Sequence, residues 1–134
     1  MGTFLNISNH PSDKWQVGQS EAALNLPEIR QIRDVPFPNI PPAASASTVR
    51  EMAFELLYAL QADGLDPAQD VAMVQGEFSF THHLTCALEA LGMRVVVGCS
   101  ERKAEEITLA DGVVRKVSTF DFVQFRQVTL VFGD

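Results

Sequence analysis

The sequence predicts an α/β fold in which a mostly parallel sheet is extended by a C-terminal β-hairpin. Two observations favour this fold. Short apolar runs alternate with helix-like segments from residue 3 to residue 98, which is typical of parallel strands joined by right-handed crossovers. The pair Asp111-Gly112 then favours a tight antiparallel turn. The expected strand order is 2-1-3-4, with the hairpin added at the edge.

The whole chain, 1–134, is expected to form one domain, because 46% of its residues are apolar and can fill one core. No apolar run approaches the length of a membrane span, and the amino terminus lacks the pattern of a secretory signal. These features predict a soluble cytoplasmic protein with no membrane contact. Cys86 and Cys99 form no Cys-x-x-Cys pair and are expected to be buried free thiols.

The predicted strands rest on two kinds of local pattern. Residues 3–8 and 28–35 alternate apolar and polar side chains. Residues 71–74 and 94–98 are short apolar runs, which is typical of strands buried on both faces. In the last third of the chain, residues 117–125 carry apolar side chains in both alternating sets. Part of the hairpin is therefore expected to cover something on each face, and a partner subunit is one candidate.

The predicted helices are bounded by capping and stop residues. The first helix occupies residues 12–26. The second begins at a capping box formed by Thr48 and Glu51 and ends at Gly64. The third follows the turn at residues 75–77 and ends near Leu91. Between the second strand and the second helix, the proline-rich residues 36–46 should form an ordered loop held by Phe37 and Ile40.

Polar loops are expected to meet at one edge of this sheet. Strands one and three should flank the point where the winding reverses, so the loops after them face one crevice. The first loop contributes Ser8, Asn9 and His10, and the second contributes Gln75, Gly76, Glu77, Ser79 and Thr81. A turn after the fourth strand is expected to add Ser100, Glu101, Arg102 and Lys103 at the same edge.

These residue types suit a polar or anionic ligand. Gly76 would let the backbone approach the ligand, and Ser79 or Thr81 would cap the third helix and place its positive end at the crevice. His10 is the best candidate for proton transfer or phosphate contact, and Glu77 could be a general base. The alternative for each residue taken singly is ordinary turn and cap chemistry. For Arg102 and Lys103, phosphate contact competes with a solvated turn.

Composition and missing motifs exclude several classes of function. With a net charge of −7 and no basic stripe, the chain is a poor binder of long nucleic acid, although backbone amides could still hold a small phosphate ligand. His82 and His83 point about 100° apart on a helix and cannot share one metal ion. No zinc-ligand spacing, glycine-rich dinucleotide motif, Walker loop or esterase elbow occurs. No cofactor and no metal are expected.

Three segments, Phe4–Ser12, Asp34–Pro38 and Val74–Phe78, resemble small CRISPR-associated proteins. They are similar to the minimal Rossmann-like domains of CARF type found beside type III CRISPR systems. The resemblance spans about residues 4–126. It implies a homodimer that binds a cyclic oligoadenylate, with cyclic tetra-adenylate favoured, across its two-fold axis in antiviral signalling.

The resemblance also implies a reaction. Some members are ring nucleases, which cleave this second messenger without metal when a ribose 2′-hydroxyl attacks the adjacent phosphate and forms a 2′,3′-cyclic phosphate. The catalytic roles would fall on His10, Ser8 and Glu77, and the remaining residues of the loops would bind the ligand. Neither loop contains a lysine. A non-catalytic sensor or sink, and an interaction module with an apolar patch on residues 117–128, remain alternatives.

Overall fold

The structure, a computed structural model, describes residues 1–129 of the 134. Its elements in chain order are β1 (Gly2–Ser8), a 3₁₀ turn (Ser12–Lys14), α1 (Val17–Leu24), β2 (Ile29–Pro36), α2 (Ala46–Ala62), β3 (Val71–Gln75), α3 (Phe78–Ala90), β4 (Arg94–Thr108) and β5 (Val114–Gln127).

The strands of this part of the chain form one mixed sheet in the order β2-β1-β3-β4-β5. β1 pairs in parallel with both β2 and β3, and β3 pairs in parallel with β4. β5 pairs antiparallel with β4 and forms the C-terminal hairpin. The α/β class, the strand order and the hairpin predicted from the sequence are confirmed.

The core lies on both faces of the sheet because successive side chains of a strand point to opposite faces. Leu5 and Ile7 of β1 pack into the cluster that α2 and α3 cover. Phe4 lies in the cluster on the other face, together with Trp15 from the segment before α1. The Phe4 and Trp15 rings meet edge to face, with their centroids 5.9 Å apart.

The proline-rich loop is ordered, as predicted, and its apolar side chains attach it to the sheet. Phe37 is buried, and its ring lies edge-on against Phe80 of α3 at a centroid distance of 5.0 Å. Ile40 is partly buried against the same cluster. Gly64 and Gly92, with φ angles of +93° and +77°, follow the ends of α2 and α3. Both stop signals are thus confirmed.

Two local predictions are wrong. The N-cap of α2 is Ser45, whose Oγ accepts the Thr48 N–H at 3.1 Å, so Thr48 lies inside the helix rather than at its cap. Cys86 is exposed on α3, and Cys99 is half-buried within β4, so neither is a fully buried thiol.

Among residues 1–129, no helix is both long and apolar enough to cross a membrane.

The hairpin is much longer than the sequence pattern indicates. β4 and β5 pair from Val96 and Gln127 to Thr108 and Val114. We call residues 100–108 and 114–121 the hairpin arm, and nearly all of them are exposed.

A bulge lies at the base of this arm. β5 has one extra residue between its pairings with Cys99 and Ser100. The bulge breaks the strict alternation, so Phe122 and Phe125 lie together with their ring centroids 4.8 Å apart. Phe125 in turn packs on Phe4. One face of the base of the hairpin therefore packs on the core of the sheet.

We expect Ser45→Ala to lower the free energy of unfolding by about 1 kcal/mol, because the Thr48 N–H would lose its acceptor. Urea denaturation would measure this loss. Ser45→Asp should keep most of the stability, since a carboxylate accepts the same N–H and suits the positive end of the helix. An unchanged midpoint in Ser45→Ala would contradict this cap.

Candidate ligand site at the carboxyl edge of the sheet

A crevice of about 840 Å³ opens at the carboxyl ends of β1 and β3, beside Gly98 and Ser100 of β4. The segment after β1 forms one wall, and the base of the hairpin arm forms the other. The lining residues are Ser8, Asn9, His10, Lys14, Trp15, Gln16, Gln19, Met73, Gln75, Gly76, Gly98, Ser100, Phe120 and Phe122.

The structure brings together only part of the predicted site. The residues that line the crevice, as predicted, are Ser8, Asn9, His10, Gln75, Gly76 and Ser100. The predicted residues that do not line it are Glu77, Ser79, Thr81, Arg102 and Lys103. Every member of the second group lies either at the start of α3 or in the hairpin arm.

The loop after β1 is organised by Asn6, a buried residue that the sequence analysis overlooked. Its Nδ2 donates to the His10 carbonyl and to Asp34 Oδ1, both at 2.9 Å. The Ser8 hydroxyl donates to Asn6 Oδ1 at 2.7 Å. Trp15 Nε1 donates to the same His10 carbonyl at 3.2 Å. These bonds fix the backbone from which the His10 side chain reaches the crevice.

The Ser8 hydroxyl serves this loop in two ways. It donates to Asn6, and its oxygen accepts the backbone N–H of His10 at 3.2 Å. A nucleophilic role would require this proton to leave its bond with Asn6. In this structure Ser8 therefore positions the loop.

Asp34 of β2 holds the other end of the same loop. Its carboxylate accepts the backbone N–H of Ser12 at 3.1 Å and the Ser12 hydroxyl at 3.0 Å. Burial raises the pKa of Asp34, but the hydrogen bonds from Asn6 and Ser12 outweigh it and hold the pKa below its ordinary value. A signal for this pair was present in the sequence, because Asn6 interrupts an apolar strand and a parallel register places it opposite Asp34.

Glu77 caps α3, so the expectation that Ser79 or Thr81 does so is wrong. Its carboxylate accepts the backbone N–H groups of Ser79 and Phe80 at 2.5 and 3.4 Å. The Ser79 hydroxyl bond, followed by these backbone bonds, lowers the pKa of Glu77. The amides expected to hold a phosphate are thus occupied by the chain's own carboxylate. The Thr81 hydroxyl is buried and has no hydrogen-bond partner within residues 1–129.

Gln75 forms the floor of the crevice and holds β4 in place. The parallel pairing of β3 with β4 ends at Met73 and Val96. Beyond that point the Gln75 side chain replaces the backbone: its Oε1 accepts the Gly98 N–H at 2.9 Å, and its Nε2 donates to the Gly98 carbonyl at 3.4 Å. The side-chain amide therefore continues the sheet where β4 diverges toward the hairpin.

Gly76 lines the crevice, but a second contact explains why it is glycine. A Cβ added there would lie 2.5 Å from the Phe37 ring. Any larger residue would thus displace the proline-rich loop. The glycine is required by packing, whether or not a ligand approaches it.

Gln16 joins the two walls of the crevice. Its Oε1 accepts the backbone N–H of Phe122 at 2.7 Å, and its Nε2 donates to the Phe120 carbonyl and to Asp121 Oδ1, both at 3.3 Å. Asp121 also forms an ion pair with Lys103 at 3.2 Å. These three hydrogen bonds fix the base of the arm against the segment before α1.

The turn predicted after the fourth strand does not exist, because residues 101–103 lie inside β4. Arg102 donates to the Ser118 hydroxyl across the arm at 3.2 Å, and Lys103 pairs with Asp121. Both cations therefore bind residues of β5. Ser100, by contrast, lines the crevice as predicted.

The lining of the crevice contains no Asp or Glu, although the chain carries a net charge of −7. Its basic side chains are those of His10 and Lys14. Lys14, at the end of the 3₁₀ turn, has no ion-pair partner in the described part of the chain. Lys14 lies beyond the loop itself, so no local sequence pattern indicates its place in the crevice. Within residues 1–129, no three His, Cys, Asp or Glu side chains converge as a metal site.

We expect Asp34→Asn to destabilise the protein at neutral pH and to matter less in acid. Because the folded-state pKa of Asp34 is lowered, its contribution is present above the unfolded value of about 3.9 and is lost as the pH falls through the folded value. Urea midpoints of both proteins at pH 7 and below pH 3 would show this difference. Asp13→Asn, a change of the same charge in the exposed 3₁₀ turn, is the control. A loss of stability in Asp34→Asn that is the same at both pH values would contradict the lowered pKa of Asp34.

The sequence model of the Uncharacterized protein MJ1673 family matches residues 2–126, and the chain belongs to this family. The match includes all the residues that line the crevice. No curated protein matches the sequence.

Proposed function

We propose that the crevice binds a small nucleotide phosphate ligand and that this ligand is a cyclic oligoadenylate, with cyclic tetra-adenylate favoured. The observation that carries the proposal is the charge of the lining. In an acidic chain, a crevice that contains Lys14 and His10 and no carboxylate is selective for neutral or anionic molecules.

The size and lining of the crevice support a nucleotide. Its volume of about 840 Å³ falls in the range of roughly 300–1,000 Å³ usual for small-molecule sites. Phe120 and Phe122 offer aromatic faces on which a base can stack. The amides of Asn9 and Gln19 can bond to a base edge or a ribose, and Lys14 can neutralise a phosphate.

The position in the sheet supports the same proposal. β1 and β3 are adjacent, and the chain winds from β1 to β2 on one side and from β3 to β4 on the other. This is the switch point at which open α/β sheets bind ligands. A minimal Rossmann-like domain of CARF type has this arrangement. In a homodimer of such domains, a cyclic tetra-adenylate would lie across the two-fold axis. The crevice of each copy would then hold one half of the ring.

Cleavage of the ring is the enzymatic form of the proposal. The ribose 2′-oxygen would bond to the adjacent phosphorus, and the bond from phosphorus to the 5′-oxygen would break. His10 would accept the 2′ proton, and the 5′-oxygen would take a proton from water. Lys14 would stabilise the charge on the phosphoryl oxygens. A sensor or sink needs Lys14 and the aromatic wall but no proton transfer.

We expect Lys14→Gln to weaken binding of cyclic tetra-adenylate by about 10- to 100-fold, because a hydrogen bond to a charged group is lost. Isothermal titration calorimetry would measure the affinity. Lys116→Gln makes the same change of charge in the arm, away from the crevice, and should leave the affinity unchanged. Equal affinities for both variants would show that Lys14 does not contribute to binding of the ligand.

His10→Ala should separate enzyme from binder. If His10 accepts the 2′ proton, its loss should slow cleavage by about 10²- to 10⁴-fold while leaving binding largely intact. Chromatography of the products from cyclic tri-, tetra- and hexa-adenylate would measure the rates, with His82→Ala, an exposed change on α3, as the control.

Three other outcomes are informative. Unchanged cleavage in His10→Ala would exclude His10 as the proton acceptor. Tight binding without cleavage by the unmodified protein would establish the sink. The absence of binding to all three rings would refute the proposed ligand.

A further inference from the structure

A second concave surface lies between α2 and α3, away from the crevice. This α2–α3 groove, of about 530 Å³, is lined by apolar side chains that include Phe54, Tyr58 and Leu91. Tyr58 is 63% exposed, and its ring stacks on Phe54 at a centroid distance of 6.3 Å. Arg50 also lines the groove, and no Asp or Glu does. The groove is therefore apolar with a cation at its rim.

The end of the hairpin arm is also apolar, but it carries a charge of the opposite sign. We call residues 107–114 the arm tip. Four of its apolar side chains are exposed, namely those of Ile107, Leu109, Val113 and Val114. Asp111 supplies a carboxylate at the turn, where its Oδ1 accepts the Val113 N–H at 3.0 Å. Apolar side chains gathered at the end of an exposed ribbon are typical of an interaction surface.

We propose that the arm tip of one copy of this chain docks into the α2–α3 groove of a second copy, and that the exchange is reciprocal. The apolar tip side chains would cover Phe54 and Tyr58. The Asp111 carboxylate would meet the Arg50 guanidinium. Both the apolar surfaces and the charges of tip and groove are therefore complementary.

The reach of the arm fits this docking. Residues 100–108 form nine strand residues, which span roughly 30 Å. α2 follows a parallel strand, so its amino end lies at the carboxyl edge of the sheet. Arg50 lies in the first turns of α2, near this edge, and β4 continues beyond the same edge. An arm from a copy that faces this edge can therefore reach the groove.

Stability and symmetry favour reciprocal exchange. A two-stranded ribbon alone is at best marginally stable in water, so a partner that covers the tip would stabilise it. If each copy both gives and receives an arm, the same contact forms twice and the assembly closes as a dimer. A one-way contact would instead produce open chains.

Disulfide trapping tests the geometry, because Cys86 already lines the groove. The tested protein carries Cys99→Ser and Val113→Cys and is oxidised without ligand. It should form a dimer, and peptide mapping should find a disulfide between position 113 of one copy and Cys86 of the other. Glu21→Cys, an exposed change on α1, is the control and should not form this link. A link between the two positions 113 would instead show arm-to-arm pairing and overturn the proposal.

Sedimentation velocity tests the contact without added thiols. The unmodified protein should be a dimer at micromolar concentration. Tyr58→Ser and Leu109→Ser, which alter exposed side chains, should each raise the dimer dissociation constant about tenfold or more.

A monomeric unmodified protein from 1 to about 100 µM, or a dimer that neither substitution weakens, would refute the docking. Because no ligand is present in either experiment, failure here leaves the proposed ligand in the crevice unaffected, and the reverse also holds.

Discussion

The crevice depends on one buried amide, that of Asn6. A buried polar side chain without partners costs on the order of 1–3 kcal/mol, so its bonds must be formed within the fold. Its partners are the carboxylate of Asp34 on the neighbouring strand, the hydroxyl of Ser8 and the carbonyl of His10. A single residue of the interior strand β1 thus connects the sheet to the loop that carries the candidate site. These bonds hold the loop through the protein's own side chains, and a loop held in this way loses less entropy on binding.

Three acidic residues near this edge of the sheet bond to the protein's own donors. Glu77 binds amides at the start of α3, Asp34 binds Ser12 and Asn6, and Asp121 binds Gln16 and Lys103. None of the three carboxylates lines the crevice. This arrangement explains how a chain of net charge −7 presents a site whose basic side chains are Lys14 and His10. The amides predicted to form a phosphate cradle at the start of α3 bind Glu77 instead, and the lysine that lines the crevice comes from the 3₁₀ turn.

The sequence predicted the fold better than the site. Apolar runs such as residues 71–74 locate buried strands, and their alternation with helices fixes a parallel order. Caps are harder to predict, because neighbouring polar residues compete for the same amides and only the chain geometry selects Glu77 over Ser79. The arm could not be predicted from alternation, since it is exposed on both faces and its base contains a bulge. Lys14 reaches the crevice only through the tertiary fold.

The side-chain amides of Gln75 and Gln16 extend the backbone hydrogen bonding of the sheet. Gln75 continues the pairing of β3 with Gly98, and Gln16 bonds to the backbone of Phe120 and Phe122. Through these bonds the aromatic wall of the crevice is fixed by its own chain. The arm tip lies beyond this fixed base, so a second copy could cover the tip without moving that wall. The crevice wall and the arm tip, for which docking is proposed, therefore occupy one hairpin, while the geometry of each depends on different contacts.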